Sequence, residues 1–297
     1  MSHPEGLIPC IGSVLWDLIG RHPHTMRRGD DRPGTVTRLP GGVAMNVAQT
    51  LVRFGRRPTV LTCIGTDPEG EELIAACTGL GVDTSLALRR GDLPTDRYMA
   101  IEGANGLIAA IADARSLEEA GADILAPLTD GRLGDADAPF DGPVVLDGNL
   151  SEALLKEIAT SPFLAAADLR IVPASPGKAL RLEPLLRLAN ATLYLNLEEA
   201  ALLAGVEFLA APDAARFLIE RGSARVLVTD GAQPAADAAA DGLITGQPPM
   251  VEPRRITGAG DTFMAAHIAA EAQGHSRPFA LEAALQAAAT YVAGDDT

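Results

Sequence analysis

The chain contains few of the residues that mark several common protein classes. Its 297 residues include two lysines, Lys156 and Lys178, and three cysteines, none of them in a CxxC pair. Neither lysine stands in a GxxxxGK[ST] loop, which excludes a P-loop nucleotide site. The widely spaced cysteines predict buried, reduced thiols. The five histidines form no HExxH pattern, so we predict no structural zinc site.

Long apolar runs and an excess of basic residues are also absent. No apolar run approaches the ~18 residues that a membrane-spanning helix requires. The first residues, MSHPEGLIPC, lack the basic start and apolar core of a signal peptide, so we predict a cytoplasmic protein. A net charge of -15 argues against nucleic acid and anionic membranes as partners. Apolar residues make up 47% of the chain, enough for a substantial core.

Apolar runs alternate with helical patterns along most of the chain. Residues 46–54 predict a helix, since Val47, Leu51 and Phe54 share one face and Gly55 stands at the usual helix end. This alternation predicts a mostly parallel sheet with helices on both faces, and ligands beyond the carboxyl ends of its strands. The other clear predictions are strands near 7–18, 59–64, 144–146, 169–172, 191–195 and 225–229, and helices near 151–160 and 197–204.

Two segments interrupt the alternation without forming a second domain. Residues 20–39 are rich in Arg, Asp, Gly and Pro, and residues 85–113 read as a β-hairpin around the turn Ala104-Asn105-Gly106. We predict one domain, 1–297, with a small appended sheet drawn from about 14–40 and 85–113. That sheet is either a lid over a site or a passive dimer edge. The Ala-rich residues 232–241 are predicted to be a loop.

The sharpest local signal is TGAGD at residues 257–261, directly before a predicted helix that ends near Gly274. Glycines at a helix start allow close approach of a ligand and leave N–H groups free for an anion. A carboxylate among those donors makes chemical sense if a hydroxyl lies between Asp261 and a phosphoryl group. The helix start is expected to lower the pKa of Asp261. Ordinary dipole compensation by an acid in the first turn is the alternative.

A second glycine motif, PGGVAMN at residues 40–46, stands directly before the predicted helix at 46–54. The paired glycines permit close approach to a ligand. Asn46 offers a donor and an acceptor to hydroxyl groups. Its alternative role is that of a helix N-cap.

With both motifs in this order, the sequence resembles the ribokinase-like (PfkB) kinases. The IGTD turn at residues 64–67 and NLEE at residues 196–199 are similar to two further features of that family. The resemblance covers nearly the whole chain. It implies a ribokinase-like three-layer α/β/α core, a mostly parallel central sheet and a small β-sheet lid. It also implies an ATP-dependent kinase that phosphorylates a hydroxyl of a sugar or nucleoside.

The resemblance also implies a role for each matching residue. Asp261 would be the catalytic base, and the backbone of Gly258, Ala259 and Gly260 would form an anion hole. Glu199 and Asn196 would hold Mg²⁺ through water near the phosphates of ATP. The remaining implied contacts are Asp17, Gly41, Gly42, Asn46 and Tyr98 to the acceptor, and Thr229 and Gly231 to the nucleotide. A homodimer formed through the lid is implied as well.

One departure concerns monovalent cations. Arg255 stands two residues before Thr257, where the family often carries an acid. A K⁺ site in this loop is therefore left open.

The acceptor is the finest prediction. Three features resemble pseudouridine kinases: Val43 where ribokinases tend to carry lysine, the hairpin segment TDRY at 95–98, and VPASPGKA at 172–179. Met45 departs from them, because many of those enzymes have arginine there. We favour pseudouridine as the acceptor. The alternatives are a ribokinase- or fructokinase-like sugar kinase, and a catalytically silent protein that binds a sugar or nucleoside.

Overall fold

The architecture comes from a computed structural model that describes residues 6–294. The strands are β1 (Leu7–Ile11), β2 (Leu15–Arg21), β3 (Thr35–Gly41), β4 (Arg57–Leu61), β5 (Cys63–Gly65), β6 (Leu88–Arg90), β7 (Arg97–Gly103), β8 (Gly106–Asp113), β9 (Pro143–Asp147), β10 (Asp168–Val172), β11 (Ala191–Asn196), β12 (Arg225–Asp230), β13 (Gln233–Ala239) and β14 (Gly242–Gly246). The α-helices are α1 (Val43–Arg53), α2 (Pro68–Gly79), α3 (Arg115–Ala120), α4 (Glu152–Thr160), α5 (Leu197–Ala204), α6 (Ala211–Glu220), α7 (Ala259–Glu271) and α8 (Arg277–Ala293). Short 3₁₀ helices cover Gly121–Leu128, Pro162–Leu164 and Pro176–Leu185.

Eight strands form the central sheet, in the order β14-β13-β12-β11-β10-β9-β1-β4. The six strands from β12 to β4 are parallel, and the edge pair β13 and β14 is antiparallel. The parallel strands read as nearly continuous apolar runs because helices cover both faces. The predicted mixed α/β fold is thereby confirmed.

Successive side chains on each strand enter different hydrophobic cores. On β9, Val144 and Leu146 belong to the hydrophobic cluster that contains residues of α4, α5 and α6, whereas Val145 belongs to the cluster that contains residues of α1, α7 and α8. The same alternation holds on β12 for Val226, Leu227 and Val228. The molecule therefore has three layers, with the sheet between two helical layers.

A second sheet has four strands in the order β3-β2-β7-β8. It combines the chain around residues 15–41 with the hairpin at 97–113, and we refer to it as the lid sheet. Strands β2 and β7 are parallel, while the β7–β8 hairpin turns at Ala104-Asn105, as its sequence predicts. In the described chain, no helix is long and apolar enough to cross a bilayer.

Three sequence predictions about local structure are wrong. The strand predicted near 7–18 is two strands, β1 in the central sheet and β2 in the lid sheet. Residues 232–241 are not a loop, because β13 and β14 form a hairpin that closes the edge of the central sheet. Alanine has a low β-propensity, so the alanine-rich sequence of β13 does not predict a strand. In the structure, these small side chains allow α6 to pack closely against β13. Asn46 is not an N-cap either, because α1 begins three residues earlier with Gly42 as its N-cap.

The three cysteines agree with their prediction. Cys10, Cys63 and Cys77 are free thiols, and all three are buried. Burial raises the pKa of the Cys77 thiol to about 12, so it stays protonated at neutral pH.

Candidate active site

The candidate site lies beyond the carboxyl ends of the parallel strands, as the topology of open α/β sheets leads us to expect. Helices α1 and α7 pack against each other there and bring together residues that are 215 positions apart. The Asn46 Nδ2 atom donates a hydrogen bond of 2.9 Å to Asp261 Oδ2. The two residues belong to separate sequence motifs, and the fold makes them direct partners.

The start of α7 is shaped by Gly258, which caps the helix in the left-handed region at φ 92°. A Cβ at this position would lie 2.5 Å from the Tyr291 hydroxyl oxygen, so only glycine fits. That hydroxyl, on α8, donates a bond of 2.7 Å to the Thr257 carbonyl oxygen. Tyr291 thus supports the TGAGD turn from behind. No sequence signal pointed to it, because it lies one helix later in the chain.

Open space lies above the first turn of α7. A Cβ on Gly260 would meet no atom within 4 Å. The Ala259 N–H donates to the Ile256 carbonyl oxygen at 3.0 Å. An anion that binds all three predicted N–H donors would have to replace the Ile256 carbonyl oxygen as the acceptor of the Ala259 N–H.

Asp261 is partly buried and has no cation beside it in the described structure. Burial raises the pKa of Asp261 to about 6, the Asn46 hydrogen bond opposes this shift, and the charges of Asp147 and Asp17 reinforce it. The expected lowering of this pKa by the helix start is therefore wrong, since burial outweighs the favourable groups. The shift leaves Asp261 a stronger base that is still ionised at neutral pH.

Asp17 lies on β2 in the lid sheet, in register with Leu39 of β3 and Tyr98 of β7. Burial raises the pKa of Asp17 to about 6. A Cβ on Gly41 would lie only 2.0 Å from Asp17 Oδ2. The glycine therefore makes room for this carboxylate. Tyr98 is on the neighbouring strand, and burial raises its pKa, with a further contribution from Asp17.

The second glycine of the pair has a different neighbour. Gly42 adopts φ 92°, and a Cβ there would lie 2.4 Å from the Ser13 carbonyl oxygen. The pair thus allows the protein's own Asp17 and Ser13 to approach the chain closely. The sequence predicted the close approach of a ligand only.

Asp147, the last residue of β9, lies in none of the predicted site motifs. It is 0% exposed. Its Oδ2 accepts from the backbone N–H groups of Ser13 at 2.8 Å and Ala44 at 2.9 Å, and its Oδ1 accepts from Asn149 N–H at 2.7 Å. Asp147 thereby serves as an N-terminal cap of α1 from a distant part of the chain. Its position directly after a buried parallel strand was the available signal.

Asn196 and Glu199 form a capping box at the start of α5. Asn196 Oδ1 accepts from Glu199 N–H at 2.8 Å, and Glu199 Oε2 accepts from Asn196 N–H at 2.9 Å. Burial raises the pKa of Glu199 to about 7, the bond from Asn196 lowers it, and the charges of Glu198 and Asp261 raise it. The second oxygen of Glu199 takes no part in the box.

The donor set suits a magnesium ion held mainly by water. Among residues 6–294, no group of three or more His, Cys, Asp or Glu side chains could enclose a metal ion. Mg²⁺ commonly retains several waters and uses one or two protein carboxylates together with substrate phosphates. Glu199, beside Asn196 and within electrostatic reach of Asp261, fits that requirement.

The remaining sequence-predicted residues lie around this edge. Thr229 is near the end of β12, with its hydroxyl 3.5 Å from the Leu195 carbonyl oxygen, and Gly231 follows in the turn to β13 at φ 54°. Arg255 lies over the Tyr291 ring at 3.7 Å and donates to the Tyr291 carbonyl oxygen at 2.7 Å. The side chain at this position is therefore a guanidinium and supplies no carboxylate oxygen for K⁺.

Comparison with known proteins gives one consistent result. The family model described as pfkB family carbohydrate kinase matches residues 5–296. The pseudouridine kinase of Escherichia coli strain K12 is 26% identical over 264 residues, which is 86% of this chain and 80% of that protein.

Solved structures agree with this result. A carbohydrate kinase from Agrobacterium tumefaciens has a TM-score of 0.80 at 25% identity, covering 98% of this chain and 94% of its own. The ribokinase of Thermotoga maritima has a TM-score of 0.76 at 24% identity, covering 97% and 93%. An Arabidopsis thaliana ribokinase complexed with ribose and ATP has a TM-score of 0.75 at 21% identity, covering 98% and 93%.

Proposed function

Because the chain belongs to the pfkB family of carbohydrate kinases, it transfers a phosphoryl group to a hydroxyl of a sugar or nucleoside, and we propose that its acceptor is pseudouridine. The observation that carries the proposed mechanism is the bond of 2.9 Å between Asn46 and Asp261 at the open start of α7. This bond fixes one carboxylate oxygen and leaves the other available to a hydroxyl.

In the proposed reaction, Asp261 accepts the proton of the acceptor hydroxyl. The hydroxyl oxygen forms a bond to the γ-phosphorus of ATP, the bond from that phosphorus to the bridging oxygen breaks, and ADP leaves. The N–H groups of Gly258, Ala259 and Gly260 at the start of α7 stabilise the oxygens of the transferring group, with Ala259 exchanging its bond to the Ile256 carbonyl oxygen for one to the phosphoryl group. A base with a pKa of about 6 is sufficient, because a loose transition state needs an oriented nucleophile more than a deprotonated one.

The acceptor is held between the lid sheet and α1. Asp17 accepts hydrogen bonds from its hydroxyl groups, and Asn46 donates a hydrogen bond to one of them. The backbone of Gly41 and Gly42 lies beside these two side chains. Tyr98, on the strand next to Asp17, covers the acceptor from the lid side. The buried Asp17 carboxylate gains a partner when a hydroxyl arrives, which favours binding of a polyol over an apolar molecule.

ATP occupies the neighbouring part of the edge. Glu199 and Asn196 would hold Mg²⁺ and its waters, and Thr229 and Gly231 would contact the nucleotide. The ion would neutralise charge on the phosphate groups and orient them for in-line transfer. With the Arg255 guanidinium over Tyr291, we propose no side-chain ligand for K⁺ at residue 255.

Pseudouridine is favoured over other acceptors by sequence and by packing. The 26% identity with the pseudouridine kinase extends over 86% of the chain. The hairpin segment that resembles such enzymes is firmly anchored, since Thr95 N–H donates to Asp67 at 2.9 Å and Asp96 accepts from Ser116 N–H at 2.8 Å. Met45, the departure from those enzymes, belongs to α1 and is fully buried, so it does not face an acceptor.

An ADP-release assay over pseudouridine, uridine, ribose, fructose and adenosine tests this proposal. Pseudouridine should give the highest kcat/KM by at least tenfold, since a site that pairs with specific polar groups rejects analogues that lack them. A higher value for ribose or fructose would replace pseudouridine with a sugar. Acceptor binding without ADP release at any Mg²⁺ concentration would overturn phosphoryl transfer itself.

We also propose that two copies associate through their lid sheets. Met99 and Ile111 are directly paired on β7 and β8, and they are 47% and 70% exposed. Val36, Ile101 and Leu107 are exposed on the same sheet. Exposed apolar surface of this kind is typical of an interface. Light scattering should give a dimer, and Met99→Glu with Ile111→Glu should give a monomer.

A cytoplasmic location stays a prediction of the sequence.

A further inference from the structure

Lys178 lies at the same edge of the sheet as the reacting groups. It belongs to the 3₁₀ helix Pro176–Leu185, which follows the carboxyl end of β10. Strand β10 runs between β9, which ends at Asp147, and β11, which ends at Asn196. Lys178 is therefore positioned between the side of the site that holds the acceptor and the side proposed for ATP.

The side chain is held in place by a neutral partner. Lys178 Nζ donates a hydrogen bond of 2.6 Å to Asn149 Oδ1, and it is partly buried. The Asn149 backbone in turn donates to Asp147, which binds the N–H of Ala44 on α1. A chain of hydrogen bonds thus leads from the ammonium group to the helix that carries Asn46. In the described part of the chain, no carboxylate forms an ion pair with Lys178.

The site carries an excess of negative charge, which a cation at this position would reduce. Asp17, Asp147, Asp261 and Glu199 surround the carboxyl edge, and ATP adds further negative charge. Burial lowers the pKa of Lys178, Arg181 adds to this shift, and Asp147 opposes it. The charge of Asp147 also raises the pKa of Asp261. Lys178 and Asp261 are therefore both within electrostatic reach of one buried carboxylate.

We propose that Lys178 leaves Asn149 when ATP binds and donates to a non-bridging oxygen of the γ-phosphoryl group during transfer. An ammonium group on a flexible four-carbon stem can exchange one acceptor for another at little cost. It then acts as a point charge on the phosphate, a role that lysine performs well. The proposal rests on phosphoryl transfer from ATP and is independent of which acceptor the enzyme uses.

The chain supplies its own reference residue. Lys156, its other lysine, lies on the exposed side of α4 and pairs with Glu152 at 2.6 Å across one helical turn. Acetic anhydride labels both lysines, and mass spectrometry reports the two rates from one sample. A non-hydrolysable ATP analogue with Mg²⁺ should slow labelling of Lys178 at least fivefold while Lys156 is unchanged. Equal rates with and without the analogue would overturn the proposal.

Kinetics of variants provide the second test. Lys178→Met should lower kcat by about 100-fold, the usual cost of removing one donor to the transition-state oxygens. Lys178→Arg should recover part of kcat, and Lys156→Met should match the wild type. A merely structural role would instead lower the thermal midpoint of Lys178→Met and leave its kcat within twofold, which would refute a contact with phosphate.

These results separate the proposal from the choice of acceptor. The kinetic measurements use whichever acceptor releases ADP, so rejection of pseudouridine does not affect them. The labelling experiment needs only the ATP analogue. If the ATP analogue does not protect Lys178 from labelling while the wild-type enzyme turns over normally, the proposed role of Lys178 is refuted and phosphoryl transfer is not.

Discussion

The two ends of the central sheet differ in the partners of their buried carboxylates. At the amino ends, three arginines form ion pairs with carboxylates: Arg170 with Asp168 and Glu271, Arg225 with Asp237 and Glu271, and Arg277 with Asp237 and Asp241. At the carboxyl ends, Asp147 and Asp261 bind only backbone N–H groups and an asparagine amide in the described bonds.

The pKa directions follow the same division. Burial raises the pKa of Asp237, but hydrogen bonds and charges from Arg225 and Arg277 outweigh it and hold this pKa below its ordinary value. Burial raises the pKa of Asp17 and of Asp261 to about 6, and no cation compensates. The carboxylates at the amino end are compensated by arginines, whereas those at the carboxyl end lack a cationic partner, which is typical of a functional site.

Open volume at the surface does not identify the reactive end. A depression of about 580 Å³ lies at the amino ends of β10, β11 and β12, lined by Asp168, Arg225 and Arg277 among others. Those charged groups already have partners within the protein. Chemistry is therefore better located by incompletely compensated carboxylates than by the size of a cavity.

The largest expected effect on catalysis comes from Asp261→Asn. This change keeps an oxygen that can accept from Asn46 but removes the base, so we expect kcat to fall at least ~10³-fold. Affinity for the acceptor should change less than threefold. Steady-state kinetics and calorimetry measure the two quantities. An unchanged kcat would exclude Asp261 as the base.

At the opposite end, Arg225→Met should destabilise the fold by about 3 kcal/mol, the lower end of the cost of breaking a buried ion pair. Asp237 and Glu271 each lose one guanidinium partner, although Asp237 keeps Arg277 and Glu271 keeps Arg170. In the fraction that stays folded, kcat should be unaffected. Denaturant unfolding gives the free energy. Arg216→Met is the control, since its pair with Asp213 is exposed and contributes about 0–1 kcal/mol. An equal loss of unfolding free energy in both variants would show that the ion pairs at the amino end are no more important for stability than an exposed pair.

A steric change at the carboxyl end should act on the acceptor alone. In Gly41→Ala, the new Cβ would lie 2.0 Å from Asp17 Oδ2 and displace that carboxylate. We expect kcat/KM for the acceptor to fall about 100-fold, the cost of misplacing a positioning group by about 1 Å. KM for ATP should stay constant. Gly79→Ala is the control, because a Cβ there meets nothing within 4 Å.

The smallest expected effect concerns stability and pH. The pKa of Asp261 is higher in the folded chain, about 6, than its ordinary 3.8, so ionisation destabilises the fold as pH rises through this window. Asp261→Asn should therefore be more stable than the wild type at pH 7.5. We expect a gain of about 1–2 kcal/mol, since one pKa unit corresponds to about 1.4 kcal/mol and partial exposure weakens the term.

That gain should stay constant above pH 7 and shrink as pH falls through the window from about 6 to 3.8, because the wild-type carboxyl group is protonated first in the folded chain and then in the unfolded chain. Thermal unfolding at several pH values measures it. Asp237 provides the opposite reference, because its lowered pKa contributes stability that is present above its unfolded value and is lost as pH falls. A gain that is independent of pH would show that the Asp261 charge is not the cause.

Local chemistry in the sequence was sufficient for much of the fold and part of the site. The strands at β9, β10, β11 and β12, the helix α5 and the β7–β8 hairpin follow from apolar runs, end signals and turn residues. The glycine motifs identified Asp261 and Asn46. The alanine strand β13 was missed, because its residues carry little β-propensity and depend on neighbours for their structure.

What the sequence determined by itself is the kind of chemistry: glycines beside a carboxylate at a helix start, and a nearly continuous parallel-sheet pattern. Only the tertiary structure joined Asn46 to Asp261, placed Asp147 on the start of α1 and set Tyr291 beneath Gly258. It also decided the direction of the Asp261 pKa, because burial and distant charges are properties of the packed chain that no local pattern contains.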